Sequence, residues 1–241
     1  MKKIVFCLLT LTNLPSSALA GTTVNGFDLS ANVALTSDYV WRGISQTDEN
    51  PALQGGFDVN HESGLYLGVW GSNVDFNDGD EATMELDLYG GFAKKFPIGL
   101  GVDVGLIHYD YPGAKKALEY DFEEYYLGVN YVLQGVNLSA KYSYSDDFTG
   151  STTSQSASYI DLHADYTLPV GVTLAGHYGH SFGDYFDDPA RDNYDDYALS
   201  VGGELAGFGL EVAYFGTDNA GDKMFTKLSD DRLVAKVSRK F

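Results

Sequence analysis

The feature that most constrains this chain is an alternation of apolar and polar side chains with a period of two residues. Between positions 136 and 144 the even residues are Val136, Leu138, Ala140, Tyr142 and Tyr144, and the odd residues between them are all polar. A helix would scatter this pattern around its circumference, whereas a strand places alternate side chains on opposite faces. The chain is therefore predicted to be almost entirely β-structure.

The same alternation recurs often enough to predict one closed sheet. Twelve segments carry it: 27–41, 52–60, 64–75, 82–95, 99–110, 118–132, 136–146, 156–168, 172–182, 194–205, 208–216 and 230–241. Their lengths suit tilted strands that cross a membrane with roughly 9–11 residues each. Segment 118–132 is less regular than the others, which predicts a β-bulge in it. The predicted fold is all-β, a single closed antiparallel transmembrane β-barrel of about twelve strands.

The connections between these segments alternate in length. The short ones, with turn-forming residues, are 62–64, 96–99, 134–135, 169–171 and 206–207. The longer, polar and acidic ones are 44–51, 75–81, 110–117, 147–155, 183–193 and 216–229. With an even number of strands, both termini and all the short turns lie at one end. This arrangement is typical of outer-membrane barrels, which have short periplasmic turns and longer extracellular loops.

Residues 1–20 have the pattern of a secretory signal peptide. Lys2 and Lys3 precede an apolar run, and Ala18-Leu19-Ala20 supplies a small-x-small cleavage site. Cleavage after Ala20 would remove Cys7, the only cysteine, and leave residues 21–241 as one barrel domain. An exported chain without cysteines must be held together by its hydrogen-bond ladder and its packing.

Composition excludes several classes of protein. The formal net charge of −19 argues against a nucleic-acid partner, which would be bound through its phosphates. A hydrophobic content of 44% is too high for a disordered acidic chain. After residue 20 no apolar stretch approaches the roughly 18 residues that read as a membrane-spanning helix. The acids of loops 75–81 and 184–196 do not have the spacing of a calcium loop, so we predict no metal site and no cofactor.

A soluble β-sandwich would show the same alternation with its apolar face turned inward. Aromatic residues near the strand ends favour the opposite orientation, in which they form two girdles at the membrane interfaces. These residues are Tyr39, Trp41, Trp70, Phe76, Phe92, Phe96, Tyr109, Tyr111, Tyr125, Tyr142, Tyr144, Phe182 and Phe208. The last segment is also amphipathic and ends on Phe241, which resembles the signal by which bacterial outer-membrane proteins engage the barrel-insertion machinery.

Three stretches of the sequence closely resemble the TorF-type putative porins, a family of small proteobacterial proteins assigned to the outer membrane. They are Leu35-Thr-Ser-Asp-Tyr-Val-Trp-Arg-Gly-Ile-Ser-Gln46, Pro51-Ala-Leu-Gln-Gly-Gly56 and Gly64-Leu-Tyr-Leu-Gly-Val-Trp-Gly-Ser-Asn73. The resemblance is dense over 35–130 and weaker beyond it. It implies a porin-like barrel in the outer membrane of a Gram-negative bacterium, in contact with lipid and lipopolysaccharide. It brings no substrate and no catalytic residue.

If the apolar side chains face lipid, the parity of each strand gives the residues that line the lumen. The inward acids are Asp28, Asp38, Asp58, Glu85, Asp87, Asp103, Glu124, Asp161, Asp165, Asp196, Glu204 and Glu211, and the inward bases are Arg42, Lys141, Lys236 and Lys240. An acidic lumen concentrates cations. We therefore predict a channel for passive diffusion of small hydrophilic solutes with a preference for cations. Abundant inward glycines, among them Gly68, Gly105 and Gly179, favour an open lumen.

Three candidate lining residues have a second interpretation. Arg42 could line a constriction or pair with a neighbouring acid such as Asp58, and the pairing is favoured. His163 and His177 lie inward on adjacent strands near Asp161 and Asp165, as the acid–base groups of a barrel enzyme would. No Gly-x-Ser-x-Gly turn marks a nucleophile, so we predict no enzyme.

The alternatives to a channel are therefore a closed barrel that serves as a structural or partner-binding protein and, less favoured, a lipid- or peptide-cleaving enzyme. Twelve strands fall between the eight that side chains fill and the sixteen that leave an aqueous channel. Strand number alone does not choose between an open and a closed lumen.

Overall fold

The structure, a computed structural model, describes residues 22–24, 26–76, 82–115, 120–148 and 154–241. The predicted signal peptide and its cleavage site lie outside these residues. The barrel strands are β1 (Phe27–Thr36), β2 (Ala52–His61), β3 (Leu65–Asn73), β4 (Met84–Lys95), β5 (Gly101–Asp110), β6 (Phe122–Leu133), β7 (Val136–Ser145), β8 (Ala157–Thr167), β9 (Val172–Phe182), β10 (Tyr194–Leu205), β11 (Phe208–Thr217) and β12 (Arg232–Lys240).

Each of these strands pairs antiparallel with the next along the chain, and β12 pairs back onto β1. The predicted closed barrel of twelve strands is therefore confirmed. Phe241 extends the closing ladder, because its backbone N–H donates to the Ala31 carbonyl at 2.8 Å and its carbonyl accepts from the Ala31 N–H at 3.2 Å. A short strand, Thr22–Val24, pairs with β1 alone.

The apolar faces of the strands point outward, as predicted. Leu35, Phe57 and Leu67 are between 56% and 67% exposed, whereas Glu85 and Asp87 on the inner face are 2% and 0% exposed. A soluble sandwich would show the reverse. A lipid environment favours an apolar belt around a polar interior, because the outward side chains are in contact with lipid. It also favours a closed sheet, because closure pairs the backbone polar groups of every strand.

The five short turns lie at one end of the barrel, here called the turn end, and the six long connections lie at the loop end. Two of the turns have only two residues between their strands. Gln134-Gly135 and Ala206-Gly207 both have positive φ at each position, 52° and 89° in the first and 53° and 81° in the second. This backbone matches the twist of the flanking strands, so it fixes the register of each hairpin.

Strand β1 is shorter than predicted, because it ends at Thr36 and not at residue 41. Residues 37–47, here called the lumenal hairpin, fold into a small antiparallel pair of Val40–Trp41 with Ile44–Ser45. Arg42 and Gly43 form its tip, with φ of 50° and 80°. The alternation continues to residue 41 because the hairpin is itself extended, so the pattern did not mark where the chain leaves the barrel wall.

The predicted bulge in segment 118–132 is wrong. Strand β6 pairs without interruption with β5, from Phe122 opposite Tyr109 to Asn130 opposite Gly101, and equally with β7. The apolar pattern changes phase because Phe122 faces inward and is buried, whereas Tyr125 faces outward. The inward aromatic residue broke the apolar–polar alternation, and this break was misinterpreted as a bulge.

One short helix, α1 (Asn219–Phe225), lies in the connection between β11 and β12. Asp218 caps it by accepting hydrogen bonds from the backbone N–H groups of Ala220 and Gly221, each at 3.0 Å. A 3₁₀ turn, Thr226–Ser229, follows. Across the part of the chain that the structure describes, no helix is long and apolar enough to cross a membrane.

Candidate functional site

The lumenal hairpin is tied to the barrel wall by a buried carboxylate. Asp38 accepts hydrogen bonds from the hydroxyls of Ser45 at 2.7 Å and Thr47 at 2.9 Å, both within the hairpin. Its other oxygen receives the guanidinium of Arg232, at the start of β12, at 2.8 Å. Asp38, predicted to line a pore, is therefore a structural residue that fixes the base of the hairpin.

Arg42, at the tip of the hairpin, reaches across the lumen. One of its guanidinium nitrogens donates to both carboxylate oxygens of Glu124 on β6, at 2.5 and 2.7 Å. The guanidinium lies over the rings of Trp41 at 4.2 Å and Tyr159 on β8 at 4.1 Å. The hydroxyl of Tyr194, at the start of β10, donates to the Arg42 carbonyl at 3.1 Å. The hairpin leaves β1 and contacts β6, β8 and β10, so it spans the barrel at the loop end.

The predicted partner of Arg42 was wrong, although the prediction of a paired arginine was right. Asp58 lies nearer the turn end and accepts instead from the Tyr89 hydroxyl at 2.5 Å. Burial lowers the pKa of Arg42, but the charge of the Glu124 carboxylate raises this pKa. Together with its other neighbours Glu124 outweighs burial, so the net pKa lies above its ordinary value. Arg42 is therefore a permanent charge neutralised by Glu124, with two aromatic faces around it.

A continuous row of aromatic rings, here called the aromatic cluster, fills the same end of the barrel. Its members are Trp41, Tyr109, Phe122, Phe148, Tyr185, Phe186, Tyr194 and Phe225. The successive ring centroids from Phe122 through Phe148, Phe186 and Tyr194 to Phe225 are 5.1, 5.9, 5.7 and 5.4 Å apart. The row runs from β6 through two long connections and β10 to helix α1, so it closes the loop end.

Part of the predicted aromatic girdle is therefore inside the barrel. Tyr39, Trp70, Tyr109 and Tyr111 are buried, and Trp41 and Phe76 pack against them. The outward members that remain exposed are Phe92, Phe96, Tyr125, Tyr142, Tyr144 and Phe208. Arg239 lies on the apolar face near the turn end, where its guanidinium sits over the rings of Phe208 and Phe241 at 5.2 and 5.3 Å.

Two acids of β4 lie beneath the hairpin. The Tyr39 hydroxyl donates to Glu85 at 2.8 Å, and the Tyr39 ring meets Trp70 edge-on at 5.4 Å. Burial, together with the charge of Glu85, raises the pKa values of Tyr39 and Tyr111 well above their ordinary value, so both phenols remain protonated donors. Asp87 is fully buried, and neither of its carboxylate oxygens has a hydrogen-bond partner.

His163 and His177 lie on adjacent strands, as predicted, and the register places them directly opposite each other across β8 and β9. His177 Nε2 lies 2.8 Å from Asp196 and 3.1 Å from the Tyr159 hydroxyl, and its Nδ1 lies 3.5 Å from Asp161. His163 lies 3.5 Å from Asp165. These contacts are to carboxylates and a phenol, which is the chemistry of a polar ladder holding neighbouring strands together.

Toward the turn end the lumen is less densely filled. Tyr66 donates to Asp103 at 2.7 Å, Asn137 donates to Asp165 at 2.6 Å, and Lys236 pairs with Glu211 at 3.3 Å. Lys141 stands opposite Asp161 in the register and is only partly buried. Glu204 is exposed at the rim, so it borders the lumen without being enclosed by it.

Three of the inward glycines, Gly68, Gly105 and Gly179, do not leave open space, contrary to the sequence-based expectation. A Cβ on Gly68 would lie 2.2 Å from the Tyr89 ring, and one on Gly179 would lie 2.1 Å from the Tyr159 hydroxyl. Gly105 likewise lies under Tyr126. Tyrosine rings of neighbouring strands pack against these glycines, so the absence of a side chain at each glycine allows the interior to be filled.

The structure divides the predicted lining residues between the two ends. Asp38, Arg42, Glu85, Asp87 and Glu124 belong to the closed loop end, and Asp58, Asp103, Lys141, Asp161, His163, Asp165, His177, Glu204 and Glu211 lie toward the middle or the turn end. Sequence reasoning missed Arg232 and Tyr159 as partners of the hairpin. The turn-forming pair Arg42-Gly43 was the signal that could have revealed the hairpin. Among the described residues, no group of three His, Cys, Asp or Glu side chains could hold a metal ion.

The closed twelve-stranded barrel with a polar interior resembles the fold of solved outer-membrane porins and channels. The NanC porin matches with a TM-score of 0.57 and 11% identity over 87% of this chain and 97% of its own. The COG4313 outer membrane channel from Pseudomonas putida F1 matches with a TM-score of 0.50 and 13% identity over 93% and 98%. OccK5 from Pseudomonas aeruginosa matches with a TM-score of 0.50 and 15% identity over 90% and 68%. These identities establish a shared fold.

The chain belongs to the Gcw_chp family, described as bacterial proteins of unknown function, whose model matches residues 20–241. No curated protein sequence matches it. The family match covers the whole barrel and gives no activity.

Proposed function

We propose that this protein is an outer-membrane channel for passive diffusion of small hydrophilic solutes, with a preference for cations. The observation that carries this proposal is the closed barrel of twelve strands whose inner face bears far more acids than bases. Its likeness in fold to outer-membrane porins and channels supports a channel over an enzyme.

The preference for cations is supported by acids that their neighbours leave incompletely satisfied. Both oxygens of Asp87 and one oxygen of Asp165 are buried without a hydrogen-bond partner, whereas Glu211 is paired with Lys236 through one of its oxygens. Lys141 and Lys236 lie among several acids, and Arg42 is already neutralised by Glu124. A lumen with unneutralised carboxylates in low-dielectric walls attracts cations and repels anions.

Conduction requires the lumenal hairpin to move, because the hairpin and the aromatic cluster together close the loop end. Two buried ion pairs anchor the hairpin, Arg42 with Glu124 and Asp38 with Arg232. We therefore expect a channel that is closed for much of the time and opens when the tip leaves Glu124.

The test is conductance of the refolded protein in planar bilayers. We expect single-channel steps, and in a salt gradient a reversal potential with the sign of a cation-selective pore. A reversal potential that indicates anion preference, or none, would refute the selectivity.

A second function is favoured by the aromatic cluster itself, namely a closed barrel that serves as a structural or partner-binding protein. If the wild-type protein and a variant without the hairpin tip both fold and neither produces conductance steps, this second function is the better one.

The outer membrane is the proposed location, and the resemblance to the TorF-type putative porins is consistent with it. Export through a signal peptide cleaved after Ala20, insertion through the strand that ends on Phe241, and contact with lipopolysaccharide are parts of the same proposal. Separation of membranes by density, with the protein recovered among outer-membrane proteins after removal of residues 1–20, is the expected result.

A further inference from the structure

Asp87 is the most unusual polar group in the described part of the chain. Its carboxylate is completely buried, and both oxygens lack a hydrogen-bond partner. A buried carboxylate without partners is destabilising, so such a group in a native fold calls for an explanation. A lumen that serves solutes supplies one, because a cationic solute would provide the missing partner.

The neighbours of Asp87 identify the kind of cation. In the register of the sheet it stands directly opposite Trp70 on β3 and directly opposite Tyr109 on β5. All three side chains are buried on the inner face, at 4%, 0% and 3% exposure for Trp70, Asp87 and Tyr109. Side chains directly opposite each other in an antiparallel pair have Cβ atoms about 4.5–5.5 Å apart. The carboxylate is thus flanked on both sides by large aromatic groups.

Carboxylates beside aromatic rings bind organic cations, because the rings attract a diffuse positive charge while the carboxylate accepts hydrogen bonds from the cation. A metal ion would need several oxygen ligands instead, and no described cluster of three His, Cys, Asp or Glu side chains could provide them. The chain itself holds one such cation nearby, since the guanidinium of Arg42 lies between Trp41 and Tyr159 and is bound by Glu124.

We propose that Asp87, flanked by Trp70 and Tyr109 and with Glu85 two residues away on the same face, is a binding site for the ammonium or guanidinium group of a small organic cation. This inference rests on the proposed function, because the solute reaches the site through the lumen. Tyr39 covers the site from the hairpin, with its ring on Trp70 and its hydroxyl on Glu85. Binding at Asp87 therefore accompanies displacement of the hairpin.

The test uses Trp70 as its reporter. The chain contains two tryptophans, so Trp41→Phe leaves Trp70 as the only one. The refolded variant is titrated in detergent micelles with ethylammonium chloride, and separately with guanidinium chloride at millimolar concentrations, with potassium chloride as the control at the same ionic strength. We expect a saturable change in Trp70 emission with both organic cations and none with potassium.

Asp87→Asn in the same background should weaken ethylammonium binding roughly tenfold or more, because it removes the charge that the ligand pairs with. Asp165→Asn is the matched control, since it removes one buried lumen charge that is not flanked by aromatic rings, and it should leave the affinity unchanged. Equal weakening by both substitutions would overturn the proposal. The comparison of ethylammonium with potassium needs no lumen substitution, so it remains decisive if Asp87→Asn does not fold, and an equal response to both ions also overturns the proposal.

Bilayer conductance separates this site from the proposed function. A cation-selective channel whose Trp70 emission does not respond to ethylammonium refutes the site and leaves the channel. Binding in a protein that gives no conductance steps supports the site and refutes the channel.

Discussion

The two ends of the lumen are built from similar residues and differ in how they are filled. At the loop end, Glu85, Asp87 and Glu124 are 2%, 0% and 3% exposed beneath the hairpin and the aromatic cluster. Toward the turn end the acids Asp103 and Asp165 are also buried, at 3% exposure each, but polar residues between them such as Asn130, Ser139 and Ser200 keep part of their surface accessible. The difference arises because long connections fold back into the barrel at the loop end, whereas the short turns at the other end are not long enough to enter the lumen.

This comparison shows that the barrel wall does not determine whether the lumen is open. The wall supplies inward acids and glycines along its whole height, and a long connection then decides which of them are covered. The control of solute passage is accordingly concentrated in residues 37–47, which lie outside the twelve strands.

The largest expected effect is that of removing the hairpin tip. Replacing residues 40–45 by two glycines should raise the time-averaged conductance on the order of tenfold, because the tip that closes the twelve-stranded barrel is no longer present. Single-channel recording in planar bilayers measures it. The same replacement in loop 187–192 is the control and should have little effect. An unchanged conductance would mean that the aromatic cluster closes the lumen without the hairpin.

The next effect concerns the ion pair at the tip. Arg42→Ala removes the charged partner of the buried Glu124 and leaves it only the Tyr109 hydroxyl at 3.3 Å. Breaking a buried ion pair in this way costs about 3–5 kcal/mol. We expect a lower urea midpoint for unfolding in micelles and more frequent channel opening. Arg191→Ala is the control, because Arg191 forms a partly exposed pair with Asp188 at 3.4 Å. Similar losses in both variants would contradict the anchoring role of Arg42.

A smaller effect on stability is expected from adding a methyl group to inward glycines. It should depend on whether a neighbouring side chain already occupies the space beside the glycine. Gly179→Ala places a Cβ 2.1 Å from the Tyr159 hydroxyl and 2.3 Å from Asp196, whereas Gly128→Ala meets nothing closer than 3.8 Å. We expect Gly179→Ala to cost about 1–3 kcal/mol of the free energy of unfolding and Gly128→Ala to be nearly neutral. Urea unfolding followed by tryptophan emission compares the two. Equal stabilities would show that Tyr159 moves aside without cost.

The smallest effect is on selectivity toward the turn end. Asp165→Asn removes one buried acid from the lumen wall, so the cation-to-anion permeability ratio should fall by roughly a factor of two or less. Lys236→Met should shift the ratio in the opposite direction. Reversal potentials in a fixed salt gradient measure both changes. Shifts of the same sign would contradict electrostatic selection by the lumen.

Much of the wall could be predicted from the sequence, and the reason is local. In β7 the alternation from Val136 to Tyr144 assigns every side chain to a face, and the structure pairs these residues with both neighbours in unbroken register. The inward positions of Glu85, Asp87 and Glu124 follow from the same parity. The face on which a side chain lies can be assigned from its neighbours along the strand, because successive side chains alternate between the two faces.

The partners of these residues could not be predicted in the same way. Arg42 binds Glu124, 82 residues away, and Asp38 binds Arg232, 194 residues away. The alternation along a strand predicts that such side chains point inward, but it does not predict which of them are in contact. Those contacts depend on the stagger of the closed barrel and on the path of the loops. For the same reason Gly68 and Gly179 suggested open space, although tyrosines from neighbouring strands cover them.

The sequence by itself determined the strands, their number, the outward apolar face and the end at which the long connections lie, since a period of two and the turn residues are read along the chain. Only the tertiary structure decided that residues 37–47 enter the barrel, that aromatic rings close the loop end, and that Asp87 is left between two rings without a partner. The physical reason is that these features consist of contacts across the lumen. Closure of the sheet brings together residues that no local pattern relates.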